Sequence, residues 1–210
     1  MDIEISEFPL FLKKGLEELK EKIDHAESVI KKIEVHIGEI VIPSINELRY
    51  VSRHIIDSIF KKNETDKKNE LLKANNHCKK AIFDASDAGI QYCFSKIRIF
   101  REHYTRIVVT DVIPDYLDDL KQVDEVRTFL LSNRKSAVNR EQYCNDCLHY
   151  FEIIIQIVKK FDLAREELNK KALEHNKSII KSRIIIGISA GALAVTLIIG
   201  IITILLMQPQ

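Results

Sequence analysis

The chain has 210 residues, enough for one ordinary domain with a core of its own or for a small domain with an accessory segment. Its 32 basic and 31 acidic residues leave a formal charge of +1, which excludes the global basic excess typical of nucleic-acid binders and the acidic excess typical of disordered tails. With 46% hydrophobic and 30% charged residues but only 6 Gly and 4 Pro, the composition indicates long amphipathic helices. We therefore predict an all-α protein.

The chain up to Arg183 contains five stretches in which apolar residues recur every three or four positions, the spacing of a heptad seam. In the first of them this seam runs from Leu16 to Ile40, and Gly38 with Pro43 predicts where it stops. These stretches predict a cytosolic bundle of long helices. They span about residues 9–40, 44–62, 67–106, 115–131 and 139–183.

The second, third and last predicted helices differ in what their seams contain. The second presents five branched apolar residues inward: Ile45, Leu48, Val51, Ile55 and Ile59. The third has an alanine-rich seam that lets neighbours approach closely, so we expect it to be the central helix, and Pro114 lies beyond its end. The last has no Pro or Gly before Gly187, which favours one continuous helix into the segment that follows.

Residues 184–207 are uncharged and mostly aliphatic, slightly more than the roughly 20 residues that cross a bilayer as a helix. No charged residue follows Arg183, and residues 208–210 form a short tail. Lys177, Lys181 and Arg183 flank the upstream end, where we expect them to contact anionic headgroups. The positive-inside rule then predicts a tail-anchored, single-pass protein of the inner (plasma) membrane whose N-terminal domain is cytoplasmic.

The predicted membrane helix carries a stripe of small and hydroxyl side chains. Its members recur at three-, four- and seven-residue steps: Ser189, Ala192, Thr196, Gly200 and Thr203. Gly187 and Gly191 add one GxxxG spacing, which allows close packing of membrane helices. The stripe predicts a homo-oligomer, and a ring of such helices would line a pore with it, whereas a dimer would bury it. The sequence leaves these two outcomes open.

Cysteines and histidines offer a possible zinc site, because Cys144 and Cys147 form one CxxC near His149 while His77 and Cys78 are adjacent elsewhere. Structural zinc sites usually have two such pairs, and the second pair is missing here. The neighbouring carboxylates Asp118/Asp119 and Glu166/Glu167 diverge on their helices. We therefore predict no metal, no cofactor and no catalytic residue of these types.

Two Arg-x4-His spacings occur, Arg49 to His54 and Arg98 to His103. They resemble the motif of the HEPN superfamily, helical-bundle proteins whose active members pair an Arg and a His across a dimer to cleave RNA. The active members have a polar residue directly after the Arg, where this chain has Tyr50 and Ile99. The resemblance therefore implies a bundle that is HEPN-like but not an enzyme, with these four residues serving oligomer contacts.

A HEPN-like bundle joined to one membrane helix resembles the membrane accessory proteins of RNA-targeting CRISPR systems. That resemblance implies an effector that oligomerises and perturbs or permeabilises the membrane in bacterial antiviral defence. Its partners would be the membrane, further copies of itself and a defence-system protein or RNA-guided complex, without direct nucleic-acid binding. Two alternatives stay open: a tail-anchored adaptor or tether that recruits partner helices, and a membrane-held HEPN-type ribonuclease.

Overall fold

The computed structural model describes residues 8–133 and 140–206, and within those ranges every regular element is helical and no strand occurs. The predicted all-α class is therefore confirmed. The five α-helices are α1 (Leu10–Ile37), α2 (Ile42–Phe60), α3 (Glu64–His103), α4 (Tyr116–Asn133) and α5 (Arg140–Leu206), with a short 3₁₀ turn at Val109–Asp111. The predicted tail at 208–210 lies outside the described residues.

The helix ends follow from local capping. α1 ends at Ile37 and not near residue 40, because Gly38 adopts a left-handed φ of 74° and its N–H donates to the Glu34 carbonyl at 2.8 Å. Ile40, predicted to continue the seam, is 69% exposed. α3 begins at Glu64, three residues earlier than predicted, because the Asn63 side chain accepts a hydrogen bond from the Asp66 N–H at 2.7 Å.

Proline positions set the remaining boundaries. α2 begins at Ile42 with Pro43 inside its first turn, where the missing proline N–H costs nothing. α3 ends at His103, slightly before the predicted 106, and the 3₁₀ turn follows before Pro114. Of the two residues expected to stop α1, Gly38 does so and Pro43 instead lies in the first turn of α2.

α3 is the helix that α1, α2 and α5 all pack against. The larger core lies where its C-terminal half meets α5, and aromatic rings fill it: Phe100 stacks on Phe161 with ring centroids 4.5 Å apart. Where α3 passes closest, Gly89 faces the ring of Phe151, and a Cβ on Gly89 would lie 2.6 Å from that ring. A close helix–helix approach therefore requires glycine at this position.

A smaller apolar cluster joins the N-terminal half of α3 to α1 and α2. Its buried members are Leu19, Ala26, Val51, Ala74 and Cys78. Small side chains on α3 let the two neighbouring helices approach, in agreement with an alanine-rich face. The heptad register of these contacts stays a prediction.

α4 contacts α5 through an ion pair with a buried carboxylate and through aromatic packing. The Lys160 ammonium donates to both Asp119 carboxylate oxygens, at 2.7 and 2.8 Å, and Asp119 is buried. The Phe129 ring lies 4.6 Å from that of Tyr150, measured between centroids. Asp119, which the sequence placed on a solvated face, is instead part of the α4–α5 contact.

α5 is one uninterrupted helix of 67 residues, about 100 Å long at 1.5 Å per residue. Leu168 is the last buried residue of α5 among the side chains that the structure describes, so the helix leaves the core there. From Leu168 to Ile184 it runs for about 24 Å as a single, largely exposed helix. The described core and the apolar segment are thus joined by helix and not by a loop.

Candidate functional site

The C-terminal part of α5 is the membrane candidate. Among the described residues, α5 is the one helix long and apolar enough to cross a bilayer, and every described side chain from Ile184 to Ile199 is exposed. Four of its aliphatic side chains, Ile184, Ile188, Leu193 and Ile199, are more than half exposed. Aliphatic surface of this extent is costly in water and favourable in hydrocarbon. This agrees with a membrane-anchoring helix.

The described members of the small-residue stripe lie on this exposed part of α5. Ser189 and Ala192 are exposed, and a Cβ added to Gly191 would meet nothing within 4 Å. The Thr196 hydroxyl donates to the Ala192 carbonyl at 2.9 Å, so its own helix satisfies it. The side chains of the remaining predicted members, Gly187, Gly200 and Thr203, lie outside the described residues.

The predicted headgroup contacts occupy the last two turns before the apolar segment. Lys177, Lys181 and Arg183 are all exposed, and none has an ion-pair partner among the described residues. Charged groups on long stems at this depth reach lipid phosphates without burying charge. Their placement is compatible with the predicted contact.

The two Arg-x4-His spacings lie in different parts of the fold. Arg49 is exposed and donates to the Asn46 side-chain carbonyl at 3.4 Å, whereas His54 is half-buried between α2 and α3. Arg98 and His103 are both exposed near the end of α3, where Arg98 lines an open cleft together with Arg101 and Arg127. His77, the α3 neighbour of His54, precedes Arg98 by 21 residues, or about 30 Å of helix. One copy of the chain therefore does not bring the two motifs together.

A cluster of ionisable side chains lies between α2 and α3. His54 Nδ1 is 2.6 Å from a Glu70 carboxylate oxygen, and His77 Nδ1 is 2.6 Å from a Glu47 carboxylate oxygen. The two imidazoles stack with centroids 5.1 Å apart and planes 18° from parallel. Both carboxylates are buried, so the two helices meet here through paired histidines and glutamates. We call these four residues the His–Glu cluster.

Lysines complete the hydrogen bonding of both glutamates. Lys73 donates to Glu70 at 2.8 Å, and Lys80 donates to Glu47 at 2.5 Å. The bonds from Lys73 and then His54 hold the pKa of Glu70 below its usual value. Burial pushes the pKa of Glu47 up, but the bonds from Lys80 and His77 outweigh it and leave that pKa lowered. Both carboxylates are therefore held in the charged form.

Glu47 and Glu70 were missed as site residues by sequence reasoning, and His77 was considered only as a possible zinc ligand beside Cys78. The buried face of α2 is in fact largely polar, with Ser44, Glu47 and Ser58 buried beside Val51, and Ile45 is 41% exposed. A signal was present, because residues 44, 47, 51, 54 and 58 recur at steps of three and four. The apolar residues at 45, 48, 55 and 59 have the same spacing one position later, and the prediction followed them instead.

The cysteines do not assemble into the zinc site considered above. Cys78, Cys93 and Cys147 are buried, and burial raises the pKa of their thiols to about 11, 12 and 12. Within residues 8–133 and 140–206, the one group of three side chains with metal-ligand spacing is His54, Asp57 and Glu70. Metal-binding geometry, where it occurs, is thus at the α2–α3 interface.

These features define the class: an all-helical protein with one candidate membrane-spanning helix and a buried ionisable cluster in its helical core. Comparison with protein-family models, curated proteins and solved structures finds no match to this chain.

Proposed function

We propose that this protein is a membrane-anchored effector: a cytosolic helical bundle with heptad seams that oligomerises and perturbs or permeabilises the inner membrane. The observation that carries the proposal is the continuity of α5. Its N-terminal half is core, with Phe151, Ile154 and Phe161 buried, and its C-terminal part is the exposed apolar segment. A rigid helix transmits rotation or spreading of the bundle to the bilayer, which a flexible linker does not.

Self-association is supported by the exposed part of α5 between the core and the apolar segment. Leu173, Ile180 and Ile184 lie on one side of the helix at steps of seven and four, and each is more than half exposed. Parallel copies held in one membrane would bury these three apolar side chains against the same side chains of a neighbouring copy. Ser189, Ala192 and Thr196 continue along the same helix toward the bilayer interior.

Orientation and biological setting follow from charge and from resemblance. Lys177, Lys181 and Arg183 favour a cytoplasmic core under the positive-inside rule. The role in bacterial antiviral defence, with a defence-system protein or RNA-guided complex as activator, rests on the HEPN-like resemblance of the two Arg-x4-His spacings. Protease protection of residues 8–133 inside sealed spheroplasts, with cleavage after lysis, tests the orientation directly.

The alternative of a passive adaptor or tether is favoured by one observation. The Thr196 hydroxyl already bonds its own helix, so this member of the stripe needs no partner helix for hydrogen bonding. An adaptor would keep its function when residues 184–207 are replaced by an unrelated membrane helix, whereas the proposed effector would lose it. The ribonuclease alternative requires His54→Ala or His103→Ala to remove RNA cleavage by the intact protein.

The first test is the mass of the full-length protein in detergent or nanodiscs, measured by light scattering with the lipid contribution subtracted. A closed assembly of about six or more copies is expected, because rings of membrane helices enclose a conduit and pairs do not. A monomer or dimer would contradict the pore and favour the adaptor.

The second test is dye leakage from vesicles carrying the protein. Thr196→Leu adds bulk on the stripe and should abolish leakage without loss of expression. Val195→Leu adds bulk at the same depth on an adjacent face and should leave leakage unchanged. Equal leakage from the wild type and Thr196→Leu would count against a stripe-lined conduit.

A further inference from the structure

One side of the His–Glu cluster has a third potential ligand. His54 and Asp57 lie one turn apart on α2, and Glu70 faces them from α3. One ligand atom from each of the three lies within 4.8 Å of the other two. Side chains from two separate helices therefore converge on one point.

Asp57 is the member that the surrounding structure does not explain. It is half-buried, and its carboxylate has no hydrogen-bond or ion-pair partner among the described residues. Partial burial of an unpaired carboxylate is unfavourable unless a cation or a donor compensates it. Glu47 and Glu70, in contrast, are each held by a histidine and a lysine.

The donor atoms around this point suit a cation. Asp57 and Glu70 contribute two carboxylates, while Lys73 bonds Glu70 and the exposed Lys61 lines the same cleft, so both lysines have to turn toward solvent when an ion binds. The Lys73 side chain is 55% exposed, so it moves into solvent at little cost. The donor set, one imidazole nitrogen and two carboxylate oxygens, suits first-row divalent ions such as Zn²⁺ and Mn²⁺.

We propose that His54, Asp57 and Glu70 form a binding site for a divalent transition-metal ion that joins α2 to α3. Bound at about 2.0–2.2 Å from each ligand atom, the ion holds those atoms about 3 Å apart. This requires small side-chain rotations from the present spacing. Three protein ligands leave a coordination position open for water or an exogenous ligand. The site lies on the core helices and is independent of the membrane activity proposed above.

His77 provides the matched control. Its Nδ1 is 2.6 Å from Glu47, the same distance that separates His54 from Glu70, and its ring stacks on that of His54. No third ligand completes a site around His77 and Glu47 within the described residues. Loss of His77 therefore disturbs the same cluster without removing a ligand of the proposed site.

The experiment uses full-length protein in mild detergent, purified without a polyhistidine tag, stripped with a chelator and dialysed. ZnCl₂ and MnCl₂ are titrated separately by calorimetry, and thermal unfolding is followed by circular dichroism with and without each ion. The wild type should bind one equivalent of at least one ion through this site and unfold several degrees higher when loaded. Asp57→Asn should weaken that binding by about 100-fold or more, as loss of a direct ligand exceeds the effect of losing an outer-shell partner.

The controls separate a metal site from a structural role. Asp57→Asn should unfold at the wild-type temperature without metal, because Asp57 has no partner to lose, and His77→Asn should retain affinity within a few-fold. Absence of Zn²⁺ and Mn²⁺ binding by the wild type would overturn the proposal. Binding that Asp57→Asn leaves unchanged, or that His77→Asn removes equally, would overturn it as well, and would assign the ions to other donors such as Cys144 and His149.

Discussion

Two of the interfaces of α3, those with α5 and with α2, differ in their side chains. Toward α5 the contact is apolar and aromatic, with Gly89 against Phe151 and Phe100 stacked on Phe161. Toward α2 it contains the His–Glu cluster. Burial of hydrocarbon is stabilising at about 25 cal/mol per Å², whereas buried charges have to recover their desolvation cost through pairing.

The two interfaces of this one helix therefore suit different roles, stability at the apolar interface and binding at the polar one. An apolar α2–α3 interface of similar shape would hold the fold equally well or better, since buried ion pairs rarely exceed hydrophobic substitutes in stability. Local departures from the apolar pattern are expected where function requires them. The α3–α5 interface accordingly holds the helix that carries the candidate membrane segment, and the α2–α3 interface is the better candidate for ligand binding.

The largest effect is expected at the apolar interface. Phe151→Ala should lower the free energy of unfolding of the helical core by about 3–5 kcal/mol, because it removes a fully buried ring and leaves a cavity. Urea unfolding of the full-length protein in detergent, followed by circular dichroism, measures this. Phe151→Leu should cost clearly less, and a loss below about 1 kcal/mol for the alanine variant would contradict the packing described.

Overpacking the same contact should have an intermediate effect. Gly89→Ala places a Cβ 2.6 Å from the Phe151 ring and 3.1 Å from Ile33, so these side chains or their helices must shift. We expect a loss of about 1–3 kcal/mol. The double variant Gly89→Ala/Phe151→Leu should recover part of this loss, and additive losses in the same urea assay would contradict a direct clash.

The polar interface should respond to pH where the apolar one does not. Glu47 faces His77, Lys80 and more distantly Asp84, all from α3, and its pKa is lowered from an ordinary value of 4.5. A lowered pKa gives stability that is present above about pH 4.5 and lost as the pH falls through the folded-state value. Glu47→Gln should therefore be less stable than wild type by about 1–2 kcal/mol at neutral pH.

That difference should shrink as the pH falls below about 4.5, because protonation neutralises Glu47 in the wild type as the amide does in the variant. Urea unfolding at a series of pH values provides the measurement. Phe151→Leu serves as the apolar control, with a pH-independent loss. A constant difference between wild type and Glu47→Gln across the range would show that charge on Glu47 contributes nothing.

The smallest effect is expected at an exposed ion pair between α1 and α5. Lys32 donates to Glu152 at 2.6 Å, but the two side chains are 54% and 48% exposed. Water screens such pairs, so Lys32→Ala should change the free energy of unfolding by less than about 0.5 kcal/mol. If Lys32→Ala lowered the free energy of unfolding as much as Glu47→Gln does, an exposed ion pair would stabilise the fold as much as a buried one. That result would contradict the contrast drawn between the interfaces.

Sequence periodicity predicted the helices well where apolar side chains decide the outcome. Leu19, Ile33, Ile154 and Phe161 are buried as their spacing indicates. The prediction was wrong for Ile45, which is exposed, and it missed Glu47, because a buried glutamate on a helix reads as a solvated residue until its partners are known. Those partners, His77 and Lys80, are about 30 residues away in the chain.

By itself, the sequence determined the all-α class, the approximate helix boundaries and the apolar segment, since helical periodicity, capping and hydropathy are local properties of the chain. Only the tertiary structure decided that α2 meets α3 through paired histidines and glutamates, that Asp119 is buried against Lys160, and that the two Arg-x4-His spacings lie apart. Each of these depends on which residues distant in sequence face each other. A local sequence pattern does not contain the distant partner that offsets the desolvation cost of a buried charge.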